Sequence, residues 1–231
     1  MYWHNSIALK NVIALAATLF WAYHGSAWAD GKFERVAVYL EQTVEDEDTE
    51  IVFDAVSGSV GLKTLQVVAA DGRLVVDFKA PDSNLGIRHI TLESPEPKND
   101  GSLQADFPAG TYKFSGTLTS GTMLRGEATL SHAFPGPARI TQPREGERLV
   151  PGRPLQIKWN PAREAAGYAL VIEQEQSGRE MKVDLSRTAS TFTVSDGFLL
   201  PGLEYKLGIA AIAKSGNRTV TEIDVGTIGG R

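Results

Sequence analysis

The sequence predicts an all-β protein in which two tandem β-sandwich domains follow an N-terminal signal peptide. Three observations support this fold class. Apolar and polar residues alternate in short runs, turn formers such as Asp71-Gly72 separate the runs, and neither half has a long stretch of helical periodicity. A period of two places successive side chains on opposite faces of a strand, and many short strands at this spacing favour a sandwich.

The N-terminal segment, residues 1–29, has the pattern of a cleavable signal peptide. Lys10 supplies a positive charge, residues 12–23 are uncharged, and Ala27-Trp28-Ala29 matches the small-x-small pattern before a cleavage point at Asp30. The uncharged run is shorter than the roughly 20 residues that a membrane-spanning helix needs. We therefore expect a secreted or periplasmic protein with no membrane span after cleavage; an uncleaved anchor is the alternative.

Composition narrows the class of protein further. The chain has 231 residues, 42% hydrophobic and 22% charged, which is ordinary for one or two globular domains. It has no cysteine, so thiol chemistry, disulfides and a lipid-attachment cysteine are excluded. Domains of about 100 residues can bury a sufficient core without disulfides.

Charge is distributed unevenly between the two halves. Residues 30–134 contain 17 acidic and 9 basic side chains, a net charge of −8, whereas residues 135–231 contain 11 acidic and 13 basic ones. An acidic first domain argues against binding nucleic acid or an anionic membrane, and it permits cations or basic partners.

The first domain, residues 30–134, is predicted to contain eight strands. They span residues 35–41, 50–56, 62–69, 74–78, 87–92, 102–107, 111–118 and 123–130. Pro135-Gly136-Pro137 then interrupts the pattern, because proline has no amide donor for a central strand. Residues 135–137 are therefore interpreted as a short, stiff linker that restricts the angle between the domains.

The second domain, residues 138–231, is predicted to contain six further strands. They span residues 155–159, 168–173, 182–185, 191–194, 205–213 and 219–225. The pattern Leu155-x-Ile157-x-Trp159, the pair Gly167-Tyr168 and the run Leu199-Leu200-Pro201-Gly202-Leu203-Glu204-Tyr205 carry a resemblance. With these motifs, residues 138–229 resemble a fibronectin type III domain.

The resemblance implies a sandwich in which Trp159 fills the core and Tyr205 forms a tyrosine corner, its hydroxyl bonded to the backbone a few residues upstream. In the first domain, Pro108 precedes Tyr112 by the same four residues that separate Pro201 from Tyr205. This spacing indicates either a second immunoglobulin/fibronectin III-like sandwich with a similar corner or a coincidence. The sequence identifies no family for residues 30–134.

Two motifs offer weak candidates for chemistry or modification. His89 and His132 are the histidines of the first domain, and with Glu93 or Asp106 they could form a zinc site, but no ligand spacing supports it. We expect surface histidines. The triplet at Asn217 has the form of a glycosylation acceptor, which also arises by chance.

An acidic cluster is the candidate metal site. Its members are Glu45, Asp46, Glu47, Asp48, Glu50 and Asp54. Calcium prefers six to eight oxygen ligands, but the cluster lacks the glycine and the glutamate spacing of an EF-hand. The two interpretations left open are a solvated loop and a weak calcium site; no other cofactor is indicated.

The sequence contains no G-x-S-x-G elbow and no phosphate-binding loop. We therefore expect a non-catalytic binding or scaffolding protein of the cell envelope or the extracellular space. Its partner would be another protein or an envelope component. The alternatives are a calcium- or carbohydrate-binding module and a hydrolase that uses carboxylates of the first domain.

Overall fold

A computed structural model of the chain describes residues 31–46, 48–80, 84–95 and 100–229, with the side chain of Asp100 excepted. The predicted signal peptide and Glu47 lie outside these residues. No helix in the described ranges has the length and apolar character needed to cross a membrane.

The first half forms a sandwich of two antiparallel sheets. Its elements are β1 (Gly31–Lys32), β2 (Arg35–Thr43), β3 (Asp48–Val56), β4 (Leu62–Val68), β5 (Leu74–Lys79), β6 (His89–Glu93), α1 (Asp100–Asp106), β7 (Gly110–Leu118) and β8 (Met123–Leu130). One sheet has the order β2-β3-β6, and the other has the order β1-β8-β7-β4-β5, in which the short β1 pairs in parallel. Alternate residues of both sheets, among them Ile51, Leu65 and Phe114, fill the core between them.

Helix α1 corrects the prediction of a strand at residues 102–107. Leu103, Ala105 and Phe107 alternate with polar residues, which gave the segment the period of a strand. The Phe107 amide instead donates to the Leu103 carbonyl at 2.8 Å, the spacing of an α-helix. A helix of seven residues is too short to be stable by itself. The packing of the buried Leu103 side chain in the core therefore stabilises it.

The second half forms another sandwich. Its strands are β9 (Arg139–Gln142), β10 (Arg148–Leu149), β11 (Leu155–Asn160), β12 (Gly167–Gln174), β13 (Arg179–Ser186), β14 (Thr191–Val194), β15 (Glu204–Ile212) and β16 (Arg218–Thr227). One sheet has the order β14-β11-β9, and it faces the strands β13-β12-β15-β16. Trp159 is buried in this core, as predicted, and its ring meets Tyr168 edge-on at 5.8 Å.

The two sandwiches have the same strand order. Apart from β1 and β10, each has seven strands among its described residues, of which the first, second and fifth form one sheet and the other four form the second sheet. Each also has a tyrosine corner. The Tyr112 hydroxyl donates to the Pro108 carbonyl at 3.1 Å, and the Tyr205 hydroxyl accepts from the Leu200 amide at 2.6 Å. The four-residue spacing from proline to tyrosine in the two halves therefore corresponds to a tyrosine corner in each sandwich, and the two sandwiches share one strand order.

One sheet runs through both sandwiches. The last strand, β16, pairs in parallel with the first long strand, β2, and Arg218, Thr219 and Val220 stand opposite Glu41, Gln42 and Thr43. This pairing joins β13-β12-β15-β16 to β2-β3-β6 as a single sheet, with β10 attached to β16. The two sandwiches are therefore hydrogen-bonded side by side as well as linked through residues 135–137.

Candidate functional site

An apolar groove runs along the open side of the first sandwich. It lies between β5, which ends one sheet, and β6, which ends the other. Its volume is about 430 Å³, within the range of about 300–1,000 Å³ that is common for ligand pockets. Its apolar lining consists mainly of Phe53, Val75, Val76, Phe78, Leu92 and Phe107.

The groove exposes part of the core of the first sandwich. Val75, Val76, Phe78, Leu92 and Phe107 pack against the buried core residues but are themselves only partly buried. They are partly buried because β5 and β6 end their sheets on the same side, so no further described strand closes the gap between the sheets. The described part of the first core is therefore open along this side.

Aromatic rings give the groove a firm floor. Phe53 meets Phe107 edge-on at a centroid distance of 6.0 Å, and its ring also lies 6.0 Å from that of Tyr112. Tyr112 is held by its hydrogen bond to Pro108. Contacts of this kind add to the free energy gained from burying the rings, so the floor resists collapse into the groove.

The ionisable side chains in the lining of the groove are both acidic. Asp77 lies on β5 and Glu93 at the end of β6. The Gln66 amide donates to Asp77 Oδ1 at 3.2 Å, and this contact leaves the charge of the carboxylate uncompensated. The rims of the groove therefore favour a cationic ligand.

The backbone of β5 is available for pairing at its outer edge. The Ala80 amide donates to the Lys63 carbonyl at 2.9 Å, which continues the register of the β4–β5 ladder. Because bonded and non-bonded pairs alternate in an antiparallel ladder, Phe78 also bonds to β4, whereas Asp77 and Lys79 direct their backbone groups outward. No described residue pairs with that edge.

A second candidate region is the junction between the sandwiches, which is centred on Asn217. Its side chain has 0% exposure and makes three hydrogen bonds. Asn217 Oδ1 accepts from the Leu40 amide at 3.0 Å, and Nδ2 donates to the carbonyls of Ser131 at 2.7 Å and Ala133 at 2.9 Å. All of these contacts are internal, so in the folded protein Asn217 is not presented as a modification site.

Two threonines extend this network along β16. The Thr219 hydroxyl donates to the Pro135 carbonyl at 2.8 Å and accepts from the Gln42 side chain at 2.9 Å. The Thr221 hydroxyl donates to the Ala138 carbonyl. Because both hydroxyls are buried, they satisfy carbonyl groups in and directly after the linker that would otherwise be unpaired away from water.

Charged and aromatic groups cover the outer face of the junction. Arg218 donates to Glu41 at 3.1 Å, and its guanidinium carbon lies 4.3 Å from the centre of the Tyr39 ring. Burial raises the pKa of Tyr39 above its ordinary value of 10.0, although Arg218 acts in the opposite direction. The ring is therefore neutral at physiological pH, and it packs under the cation.

The acidic cluster predicted as a calcium site is spread over two regions. Glu45 Oε2 accepts from the Glu222 amide at 3.0 Å in the second sandwich, and Asp46 lines the same small pocket beside Lys206. The Glu222 carboxylate, 3.0 Å from the Lys206 ammonium, raises the pKa of that lysine.

The other described acids of the cluster lie along β3. Asp48, Glu50 and Asp54 occupy alternate positions on one face, and neighbouring positions of this kind are about 7 Å apart. No group of three or more histidine, aspartate or glutamate side chains among the described residues is placed to hold a metal ion. Glu47 is not among those residues, so the choice between a solvated loop and a weak calcium site stays untested.

Asp54 is the centre of a polar cluster on the outer face of the first sandwich. Arg35 Nε donates to its Oδ1 at 2.9 Å, while His89 Nε2 donates to its Oδ2 at 2.6 Å. The Thr91 hydroxyl donates to the same Oδ2 at 3.2 Å. A nucleophile and base pair needs a histidine nitrogen that accepts the hydroxyl proton. Here the nitrogen nearest to Thr91 already donates to Asp54, so this geometry is that of a structural cluster.

The two histidines considered for zinc have separate partners. His89 bonds to Asp54, whereas His132 Nε2 donates to the Phe107 carbonyl at 2.8 Å. His132 therefore fixes the end of the segment that follows α1, next to the groove floor.

Sequence reasoning missed both the groove and the junction. The groove depends on which strands end their sheets, and local alternation contains no such information. The junction had one signal in the sequence. Thr219 and Thr221 occupy inward positions of the last strand, where an isolated sandwich would place apolar side chains.

Comparisons with known proteins yield structural likenesses only. No family model and no curated protein matches the chain. The fibronectin(III)-like modules of Clostridium thermocellum CbhA are 9% identical at a TM-score of 0.37, over 86% of this chain and 94% of that one. A segment of two fibronectin type III domains from chicken tenascin is 13% identical at a TM-score of 0.32, over 84% and 99% of the two chains. The FN5 domain of Drosophila Lar is 22% identical at a TM-score of 0.29, over 42% and 98%.

At these TM-scores the assignment of fold rests on the strand order, the two cores and the tyrosine corners described above. The chain is an all-β protein of β-sandwich architecture, and its second half resembles a fibronectin type III domain.

Proposed function

We propose that the chain is an exported, non-catalytic protein that binds or scaffolds other components of the cell envelope or the extracellular space. The observation that carries this proposal is the sheet that continues from β13 to β6 through both sandwiches. A scaffold needs surfaces held at a constant distance and angle. Two domains joined by a linker alone move relative to each other by default.

The junction supplies what such a scaffold needs. The β16–β2 ladder and the buried Asn217 bond the second sandwich to the first, and the two threonines bond β16 to the carbonyls of Pro135 and Ala138 at the linker. Because each of these bonds satisfies a buried polar group, opening the junction would expose or orphan several of them. The groove of the first sandwich then lies at a set position relative to the loops of the second.

Rigidity can be tested with spin labels, because the chain has no cysteine of its own. Lys113→Cys and Asp184→Cys place labels on exposed strand positions of the first and second sandwich. Double electron–electron resonance should give one narrow distance distribution, and adding Asn217→Ala should broaden it. A broad distribution in the parent chain would contradict the scaffold.

Export is tested separately. The chain, expressed with a C-terminal tag in a bacterium, should fractionate with the periplasm or the medium, and the N-terminus of the mature protein should be Asp30. Retention in the cytoplasm with residues 1–29 still attached would reject export and leave the measurement of rigidity unaffected.

A further inference from the structure

We propose that the groove between β5 and β6 binds an extended segment of a partner protein in which apolar residues alternate with lysine or arginine, and that this segment pairs with β5 as an added strand. The proposal rests on the proposed binding function and deepens it by naming the site and the chemistry of the partner. Three independent features of the groove support it.

The first feature is the free backbone edge. Asp77 and Lys79 direct their N–H and C=O groups away from β4, as the bond from Ala80 to Lys63 requires. An extended peptide can satisfy those groups by adding to the sheet. β5 contains no proline, and its bulge lies at Val75, so neither feature blocks the N–H groups of Asp77 and Lys79. The charged side chains of these two residues and the bulge are the protection that this edge retains against unspecific pairing.

The second feature is the apolar floor. A strand added beside β5 would extend this sheet toward the gap that separates it from β6. Every second side chain of the added strand would then face the partly buried Val76, Phe78 and Leu92. Burial of apolar side chains would close the open side of the core. The same alternation leaves the other side chains on the outer face.

The third feature is the charge of the rims. Asp77 and Glu93 are the ionisable side chains of the lining, and the first domain as a whole has a net charge of −8. A basic residue at the outward position opposite Asp77 would pair with its carboxylate on the outer face of β5, while Glu93 on the facing sheet and the net charge of the domain attract a basic segment over a longer distance. Lys79 is the one cation in β5, and the acids outnumber it, so an acidic segment would be repelled. Charge complementarity of this kind speeds association and selects the partner.

The length of β5 limits the length of the segment. Its six residues span about 20 Å at about 3.3 Å per residue. A partner strand therefore needs about six residues to pair along the whole edge, and a few more to reach both rims.

The test uses the purified protein and two synthetic peptides of about eight residues. One peptide alternates valine with lysine, and the other alternates valine with glutamate. Isothermal titration calorimetry should show binding of the lysine peptide that weakens with salt. The glutamate peptide should bind at least about tenfold more weakly. Hydrogen exchange should show protection of the Asp77 and Lys79 amides by the lysine peptide.

Variants separate the backbone contribution from the charge contribution. Asp77→Pro removes an outward N–H without removing a bond to β4, and should weaken the lysine peptide at least about tenfold. Asp77→Asn and Glu93→Gln should each weaken it about twofold to fivefold. The matched control Glu127→Gln removes an acid from the outer face of β8 and should leave the affinity unchanged.

Each contrary result has a definite meaning. Equal affinity for the two peptides, or equal loss in Glu127→Gln and Asp77→Asn, would overturn the proposal. So would self-association through β5, seen as a concentration-dependent dimer that Asp77→Pro abolishes, because it would make a second copy the occupant. If neither peptide binds but the spin labels on the two sandwiches give a narrow distance distribution, the groove is not a peptide-binding site. The proposal that the chain is a rigid scaffold would then still hold.

Discussion

The backbone amide of Leu40 donates a hydrogen bond of 3.0 Å to the side-chain oxygen of Asn217, 177 positions further along the chain. Leu40 belongs to the core of the first sandwich, and Asn217 lies at the turn into the last strand of the second. A single buried side-chain amide thus bonds to β2 and to the segment between β8 and the linker, while its own backbone leads into β16. This side chain therefore hydrogen-bonds the second sandwich directly to the first.

Replacing Asn217 with alanine should destabilise the whole chain. The change leaves the Leu40 amide and the carbonyls of Ser131 and Ala133 buried without partners, at a cost of about 3 kcal/mol in the free energy of unfolding. Urea denaturation followed by circular dichroism measures this cost. The matched control is Asn160→Ala at an exposed position of β11, which should change stability by less than about 0.5 kcal/mol. Equal effects of the two changes would show that the junction network is not what stabilises the chain.

The two sandwiches should unfold in one transition. The β16–β2 ladder and the buried threonines make each sandwich a part of the other's hydrogen bonding, so either one alone would expose unpaired groups. Hydrogen exchange as a function of denaturant should give the same opening free energy for amides in the centres of β7 and β15. Two separated values would mean that the junction couples the sandwiches only weakly.

The two tyrosine corners should differ in strength. Tyr205→Phe leaves the Leu200 amide without its acceptor, whereas Tyr112→Phe removes one donor from the Pro108 carbonyl. Buried donors without an acceptor are rarer and costlier than carbonyls that lose one of two possible bonds. We therefore expect a loss of about 2 kcal/mol for Tyr205→Phe and about 1 kcal/mol for Tyr112→Phe, measured by urea denaturation. The reverse order would contradict the assignment of donor and acceptor.

Tyr112 should also make stability depend on alkaline pH. Burial, reinforced by the nearby Asp71 carboxylate, raises the pKa of its hydroxyl from 10.0 to about 12. Between these values the unfolded chain releases a proton that the folded chain keeps, so the free energy of unfolding falls as pH rises. Urea titrations at about pH 9 and about pH 11 should show a smaller decrease in Tyr112→Phe than in the parent chain. Identical decreases would mean that other groups cause the pH dependence.

Most strands of both sandwiches followed from local alternation, because turn chemistry and side-chain period are properties of a short window. The strand predicted at residues 191–194 coincides with β14, and the one at 123–130 coincides with β8. The helix at Asp100–Asp106 was missed, since Leu103 and Phe107 fit a period of two and a spacing of four equally well. Tertiary packing of Leu103 decided between them.

The candidate sites depended on contacts that no window contains. Asp77 and Glu93 lie 16 positions apart and become the rims of one groove only because β5 and β6 end different sheets on the same side. Asn217 matched a modification triplet, and its burial became visible only once β16 lay beside β2. Conversely, the acidic cluster that is conspicuous in the sequence lies partly along β3. Successive residues of a strand point to opposite faces of the sheet, so the acids that share one face are separated along the strand.

Calcium should leave the stability of the protein nearly unchanged. A bound ion needs several oxygens around one point, whereas Asp54 is engaged by Arg35 and His89, and Glu45 accepts the Glu222 amide. A ligand that binds the native state raises the midpoint of thermal unfolding by mass action. Melts with millimolar calcium, with millimolar magnesium and with a chelator should therefore have the same midpoint. A rise specific to calcium and reversed by the chelator would mean that the acidic cluster, including Glu47, converges on an ion. In that case Glu45→Gln should remove the rise, whereas the control Glu127→Gln should retain it.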